Sequence, residues 1–295
     1  MSYVEVKKDS GGNPVNLFYN DFGQGKPVIL IHGWPMSHEM WEYQIMDLVR
    51  AGNRVIAYDR RGFGQSSRPW EGYDYDTLAD DLKALIDQLG LEEITLVGFS
   101  MGGGEVVRYF SRHGGKGVEK VVLISAITPS MLKTESNPNG VEQSVFEGMG
   151  NQILKDRISF LEDFGKNFFG VSLLNNPVSS VALDYYRALC ANASPKATME
   201  CLFSFSQTDF TEEMEKVTVP TLLIHGDSDK IVPLLATSER VHLALPHSQF
   251  LIYEDAPHGL FFTDQNKLNQ DLINFIAIGL EFKNYVEQVT FEPVR

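Results

Sequence analysis

The stretch Leu96–Phe110, LVGFSMGGGEVVRYF, sets one serine between glycines and adds a run of further glycines where a helical pattern begins. The residues leading into it, EITLVGF at Glu93–Phe99, are apolar and short enough to read as a buried strand. Gly98-Phe99-Ser100-Met101-Gly102 therefore occupies a strand-to-helix turn, the context in which G-x-S-x-G marks a nucleophile elbow. A turn that sharp strains the serine backbone and crowds the chain around it, so the flanking positions must lack a Cβ and the hydroxyl is left exposed above the sheet. The helix start adds unpaired N–H groups and a positive dipole end beside Ser100, which favour a developing oxyanion. Glycine at the start of a helix costs about 1 kcal/mol relative to alanine, so geometry outranks stability here.

Outward from the elbow, the same kind of run recurs. PVILIHG (Pro27–Gly33), RVIAYD (Arg54–Asp59), VEKVVLISAI (Val118–Ile127) and VPTLLIHG (Val219–Gly226) are apolar segments of the sort buried on both faces of a parallel sheet. Helical patterns lie between them. In YDTLADDLKALIDQLGL, Leu78, Leu82, Leu85, Ile86 and Leu89 recur at helical spacing, with acids early and Gly90 near the end. The alternation predicts an α/β fold with a mostly parallel sheet and helices on both faces. It breaks between Thr128 and Lys216, a span far longer than an ordinary α/β loop of roughly 2–6 residues. That span contains helix-like VEQSVFEGMGNQILKDRISFLEDF and many aromatic and methionine residues. The expected organisation is a core of residues 1–127 and 217–283, a helical cap over 128–216 that roofs a cavity, and a tail over 284–295.

A serine hydroxyl attacks only when a base takes its proton and a carboxylate orients that base. HGDSDKIVP follows the strand ending near Ile224, and YEDAPHGLFF, which carries His258, follows the strand-like SQFLIYE. The expected triad is Ser100, Asp229 and His258, in the chain order Ser, Asp, His. Asp229 is preferred to Asp227 because it lies farther from the strand and precedes Lys230-Ile231-Val232, which are placed to line a pocket floor; Asp227 is left to brace the loop. HGWP, His32–Pro35, is placed to give the second oxyanion donor, so the Trp34 and Met101 N–H groups form the expected pair, with His32 fixing the turn by hydrogen bonds. Pro35 lacks an N–H and biases Trp34 toward extended geometry, so it sets the direction of the Trp34 carbonyl beside the expected acyl carbon. His113, His242 and His247 are read as solvated surface residues.

Composition removes other classes. A net charge of −14 disfavours a nucleic-acid or anionic-lipid partner. Cys190 and Cys201 are the only cysteines, too few for a disulfide framework and without zinc-ligand spacing to histidine, which fits a cytoplasmic setting with no metal. MSYVEVKKDS lacks the apolar core of a signal peptide, and no apolar run approaches bilayer length. YDRRGFGQSS and SMGGGE lack the Lys-Ser/Thr of a phosphate loop and the G-x-G-x-x-G dinucleotide fingerprint. A serine at the elbow also counts against haloalkane dehalogenases and epoxide hydrolases, which need a carboxylate there.

HGWP, YDRRGFGQSS, GFSMGGGE, FSQTDF, HGDSDKIVP and APHG together resemble the α/β-hydrolase branch of bacterial aryl esterases, cofactor-free (non-haem) haloperoxidases and perhydrolases, over about Val15–Phe282. The resemblance implies the α/β-hydrolase fold and the Ser100–Asp229–His258 triad with Trp34 and Met101 as oxyanion donors. It also implies an acyl pocket lined by Ile127, Met131, Met149, Phe164, Phe168, Phe205, Ile231 and Val232. Met131 and Met149 stand where the family commonly has aromatics, which implies a softer, less selective pocket. The implied activity is hydrolysis of small-molecule esters without a cofactor, with peroxide able to replace water and give a peracid that oxidises halide. Peroxide chemistry as the main activity, lactone or amide hydrolysis, and a non-catalytic receptor on the same fold are the alternatives. A homo-oligomer is left open.

Overall fold

The computed structural model describes residues 2–172 and 175–278. The expected tail, 284–295, lies outside the described residues, as does the end of the expected core, 279–283. Eight strands form one sheet: β1 (Ser2–Val6), β2 (Val15–Phe22), β3 (Pro27–Ile31), β4 (Arg54–Tyr58), β5 (Ile94–Phe99), β6 (Val118–Ile124), β7 (Thr221–Gly226) and β8 (Gln249–Tyr253). Their order across the sheet is β1-β2-β4-β3-β5-β6-β7-β8. From β4 to β8 the neighbours are parallel; β1 with β2 and β2 with β4 are antiparallel. Every residue of β3, β5 and β7 is buried, as expected of strands covered on both faces.

The helices are α1 (Glu42–Arg50), α2 (Tyr75–Gln88), α3 (Met101–His113), α4 (Gln143–Phe168), α5 (Ser180–Ala191), α6 (Pro195–Gln207), α7 (Ser238–Ala244), α8 (Leu260–Thr263) and α9 (Gln265–Ile278). The apolar stripe of α2 is buried at Leu78, Leu82, Leu85 and Ile86, and Asp74 caps its start by accepting from the Thr77 N–H at 2.9 Å. Helices α4, α5 and α6 lie between β6 and β7, with α4 packed on both α5 and α6. Ser194 caps α6, and Pro195 stands at its start, where a missing N–H costs nothing. Helix α4 is two segments: Asp156 leaves helical geometry, and its carboxylate accepts from the Ser159 N–H at 3.0 Å, capping the second half. Among the described residues no helix is long and apolar enough to cross a membrane.

Buried charge ties the loops beneath the elbow to the sheet. Arg60, after β4, pairs with Glu105 of α3, and the Tyr58 hydroxyl donates to Glu105 at 2.7 Å. The Arg60 guanidinium also donates to the His32 carbonyl at 2.7 Å, so one side chain links the turn after β3 to the helix after β5. Arg61 holds Asp81 of α2 through two bonds of 2.6 and 2.7 Å.

Candidate active site

Ser100 joins β5 to α3 with φ 53° and ψ −119°, a left-handed backbone that a non-glycine residue holds only where its surroundings impose it. Its N–H donates to the Ile124 carbonyl at 2.9 Å, and its own carbonyl accepts from Gly103 at 3.0 Å and Ile127 at 3.3 Å. A Cβ on Gly98 would stand 2.7 Å from the Gly102 carbonyl oxygen, so the turn closes only with glycine there. The turn after β3 lies directly against the nucleophile: a Cβ on Gly33 would meet the Phe99 ring at 2.6 Å and the Ser100 Cβ at 3.2 Å.

The structure brings together the three residues expected of a triad. His258, in the loop after β8, places Nε2 3.0 Å from Ser100 Oγ and Nδ1 2.6 Å from Asp229 Oδ2. A carboxylate only accepts, so Nδ1 carries the proton and Nε2 turns a lone pair toward the serine hydroxyl. Asp229 Oδ1 accepts from the Ile231 and Val232 N–H groups at 2.8 Å each. Burial pushes the Asp229 pKa up, but the charge of His258 and hydrogen bonds from His225 and His258 outweigh it, holding the carboxyl below the usual range. Asp227 sits in the same loop, exposed, and accepts from the Asp255 N–H at 2.7 Å.

His225 is a site neighbour that sequence reasoning missed. At the end of β7, its Nε2 lies 2.9 Å from the Val232 carbonyl and 3.3 Å from Asp229 Oδ2, while Nδ1 lies 2.7 Å from Ser238 Oγ. The carbonyl must be the acceptor, so Nε2–H donates to it. The signal was present in HGDSD, four residues before Asp229. His32 braces the turn as expected: Nδ1 donates to the Gly33 carbonyl at 2.8 Å and Nε2 accepts from the Arg60 N–H at 3.0 Å. Burial and the Arg60 charge hold its pKa well below the ordinary value, so it stays neutral.

A cavity of about 410 Å³ opens above Ser100 and His258. Of the expected lining, Ile127, Met131, Met149, Phe164, Phe205, Ile231 and Val232 face it, and so does Trp34, expected as an oxyanion donor. The Trp34 indole donates to the Thr198 carbonyl at 3.0 Å and meets the Phe164 ring edge-on at 5.3 Å, which fastens the turn after β3 to α4 and α6. Met101, first residue of α3, is fully buried, and its N–H is one of the donors that a helix start leaves unpaired. Lys230 lines it too, as expected from its place after Asp229, whereas Val141, Val145, Phe146, Phe160 and Asn167 also line the cavity and were not foreseen, since nothing local separates them from packing residues of the same segment.

One expected lining residue, Phe168, is elsewhere, and Pro35, expected to act on the Trp34 backbone, is not at the cavity surface. Phe168 does not face the cavity: it is 1% exposed and stands behind His258, its ring perpendicular to the imidazole at 4.7 Å and edge-on to Phe99 and Phe261. Pro35 is buried beside Trp34 and is not part of the cavity lining, and the Trp34–Pro35 peptide is cis. Removing the Phe168 ring is accordingly expected to cost about 3–5 kcal/mol of stability and to lower turnover by a similar factor at every acyl length, because the imidazole loses its backing. Denaturant unfolding and kcat/KM across acyl lengths check this; a selective gain for longer chains would return Phe168 to the pocket.

Two histidines read as solvated are paired. His113 Nε2 lies 2.9 Å from Asp80 across α2 and α3, and His242 Nδ1 lies 2.9 Å from Ser248 Oγ, whereas His247 is exposed. His38, Glu39 and Asp59 also gather within 4.8 Å, but the Asp59 oxygens already accept from the His38 and Gln65 N–H groups at 2.8 Å, so the trio braces the loop after β4.

Comparison with known proteins agrees with this geometry. Residues 26–265 match the family described as the alpha/beta hydrolase fold. The chain is 41% identical to a non-haem chloroperoxidase of Kitasatospora aureofaciens, over 89% of this chain and 96% of that one. It is 39% identical to a bifunctional esterase/perhydrolase of Acinetobacter calcoaceticus, over 94% and 99%. Among solved structures, a bromoperoxidase from Bacillus anthracis superimposes with a TM-score of 0.89 at 46% identity, covering 93% of this chain and 99% of that one.

Proposed function

The chain belongs to the α/β-hydrolase family, and from that premise we propose that it is a serine carboxylesterase acting on small esters through an acyl-enzyme, with perhydrolysis as a second outcome of the same intermediate. The observation that carries the reading is the hydrogen-bonded series from Ser100 Oγ through His258 to Asp229, set at the floor of an apolar cavity.

His258 Nε2 takes the Ser100 proton as Oγ attacks the ester carbonyl, and the imidazolium is stabilised by Asp229. Negative charge gathers on the carbonyl oxygen, for which the Met101 and Trp34 N–H groups are the proposed donors. Collapse of the tetrahedral intermediate breaks the ester C–O bond as His258 returns its proton to the leaving alcohol. Water then attacks the acyl carbon with His258 again as base, releasing the acid and restoring Ser100. Where hydrogen peroxide attacks in place of water, the product is a peracid, and oxidation of halide by that peracid consumes its O–O bond. The relatives named for chloroperoxidase and perhydrolase activity support this second outcome.

Turnover of a short aryl ester, with Ser100→Ala as the blank and with and without peroxide, tests the reading. Hydrolysis absent from the wild-type chain, or surviving in Ser100→Ala, defeats it. Pro35 bears on the choice between the two attackers: Pro35→Leu is expected to lower perhydrolysis relative to hydrolysis of the same ester, because the proline constrains the Trp34 backbone beside Ser100. The partition of one acyl-enzyme at equal peroxide measures it, and an unchanged ratio leaves Pro35 a turn residue.

A further inference from the structure

The cavity above Ser100 has a neighbour. A second cleft of about 440 Å³ lies beneath α4 and α6, bounded by Leu132, Gln143, Glu147, Phe203, Ser206 and Gln207, and Phe146 lines both spaces. Consecutive residues divide between them: Met131 faces the catalytic cavity and Leu132 the cleft, Phe205 the cavity and Ser206 the cleft. At Phe146 the wall is therefore one side chain thick. Its ring is 5% exposed and meets Phe205 edge-on at 6.3 Å, so it is the side chain that stands between the two spaces.

The cleft has the chemistry of an aliphatic chain's resting place. Leu132 and Phe203 give it apolar surface, and Phe203 leaves 39% of its area in contact with solvent. Gln143, Glu147 and Gln207 supply polar groups, and among the described residues no lysine, arginine or histidine lines it. With Glu147 present in a chain of net charge −14, a chain end bearing a carboxylate is disfavoured and a neutral end suits it.

We propose that this cleft is the distal acyl subsite for medium-chain esters, octanoyl and longer with an uncharged end, and that Phe146 is the gate between it and the catalytic cavity. The proposal rests on the esterase reading above. Its physical content is that methylenes reaching past Phe146 find the apolar surface of Leu132 and Phe203, each methylene worth about fourfold in kcat/KM when buried.

The test uses 4-nitrophenyl acetate, hexanoate, octanoate and decanoate with the full chain. Phe146→Ala is expected to raise the octanoate-to-acetate ratio of kcat/KM about fifteenfold, the effect of roughly two newly buried methylenes. Gln207 is exposed, so Gln207→Trp fills the cleft from outside with little risk to folding. Alone it should lower the octanoate-to-acetate ratio, and combined with Phe146→Ala it should cancel the gain. If Phe146→Ala raises the ratio and Gln207→Trp fails to reverse it, the chain occupies only the space vacated by the ring and the subsite is overturned; unchanged ratios in both variants overturn it equally. A wild-type chain that turns over none of these esters defeats the esterase reading instead. The subsite is then decided by calorimetric titration of Ser100→Ala with octanoate, where Gln207→Trp must weaken binding and equal affinity refutes the cleft.

Discussion

Replacing Ser100 by alanine is expected to lower single-turnover hydrolysis of an aryl acetate by at least about 10^4-fold, His258→Ala by a similar factor, and the double variant by little more than either alone. The reason lies in the geometry. Ser100 Oγ has a base only in His258 Nε2 at 3.0 Å, and that nitrogen has a proton to remove only from Ser100. Once either partner is gone, the other contributes nothing further, so the free-energy losses overlap. Residual turnover then reflects binding in the cavity and the N–H groups at the start of α3, which both variants keep. Losses that multiply across the double variant would mean that Ser100 and His258 act independently, and the triad would be wrong despite the contact.

Much of this site was legible because the chemistry restricts the local sequence. The elbow announces itself through a buried strand, a serine and the glycine at position 98 that packing requires, all within a few residues. Asp229 follows the buried run of β7 and His258 the β-branched and aromatic, half-buried run of β8, so strand-like segments located them in space as well as in chain order. What was not legible is non-local. Strands β1 and β2 escaped because the antiparallel edge of the sheet is half exposed: SYVEV alternates exposed and buried residues and carries a glutamate, unlike the continuous apolar runs of the centre. Phe164 and Phe168 differ by one helical turn, an advance of about 6 Å along α4. That advance carries Phe168 past the cavity and behind the His258 ring, a depth that periodicity does not encode. His113 found its partner on another helix for the same reason, since the approach of α2 to α3 is a property of the folded chain, whereas the partner of His242, Ser248, lies in the turn that follows its own helix. His225 is the exception: it ends β7 only four residues before the triad acid, so its place beside Asp229 follows from local sequence.

The choice between two acids in one loop yields the other large effect. Asp229→Asn is expected to cut turnover by about 10^4-fold while leaving the fold intact, the scale at which the acid of a serine triad acts. An asparagine amide placed 2.6 Å from His258 Nδ1 presents an N–H where the carboxylate accepted, because its oxygen is held by the Ile231 and Val232 N–H groups. Nδ1 must then accept, the ring proton moves to Nε2, and His258 faces Ser100 with a donor in place of a base. Stability should change in a matching way with pH. The folded-state pKa of Asp229 lies below the ordinary carboxylate value, so its charge stabilises the fold above that value, and the contribution is lost as pH falls through the folded pKa. The asparagine variant lacks that contribution and should show a shallower loss of stability on acidification. Asp227→Asn, by contrast, keeps an oxygen to accept from the Asp255 N–H and lies at the exposed side of the loop, so it should shift stability by no more than about 1 kcal/mol and spare turnover. Turnover, unfolding midpoints from acid to neutral pH and the low-field imidazole proton resonance, measured for both variants, decide the assignment. An inactive Asp227→Asn beside an active Asp229→Asn would transfer the orienting role to Asp227.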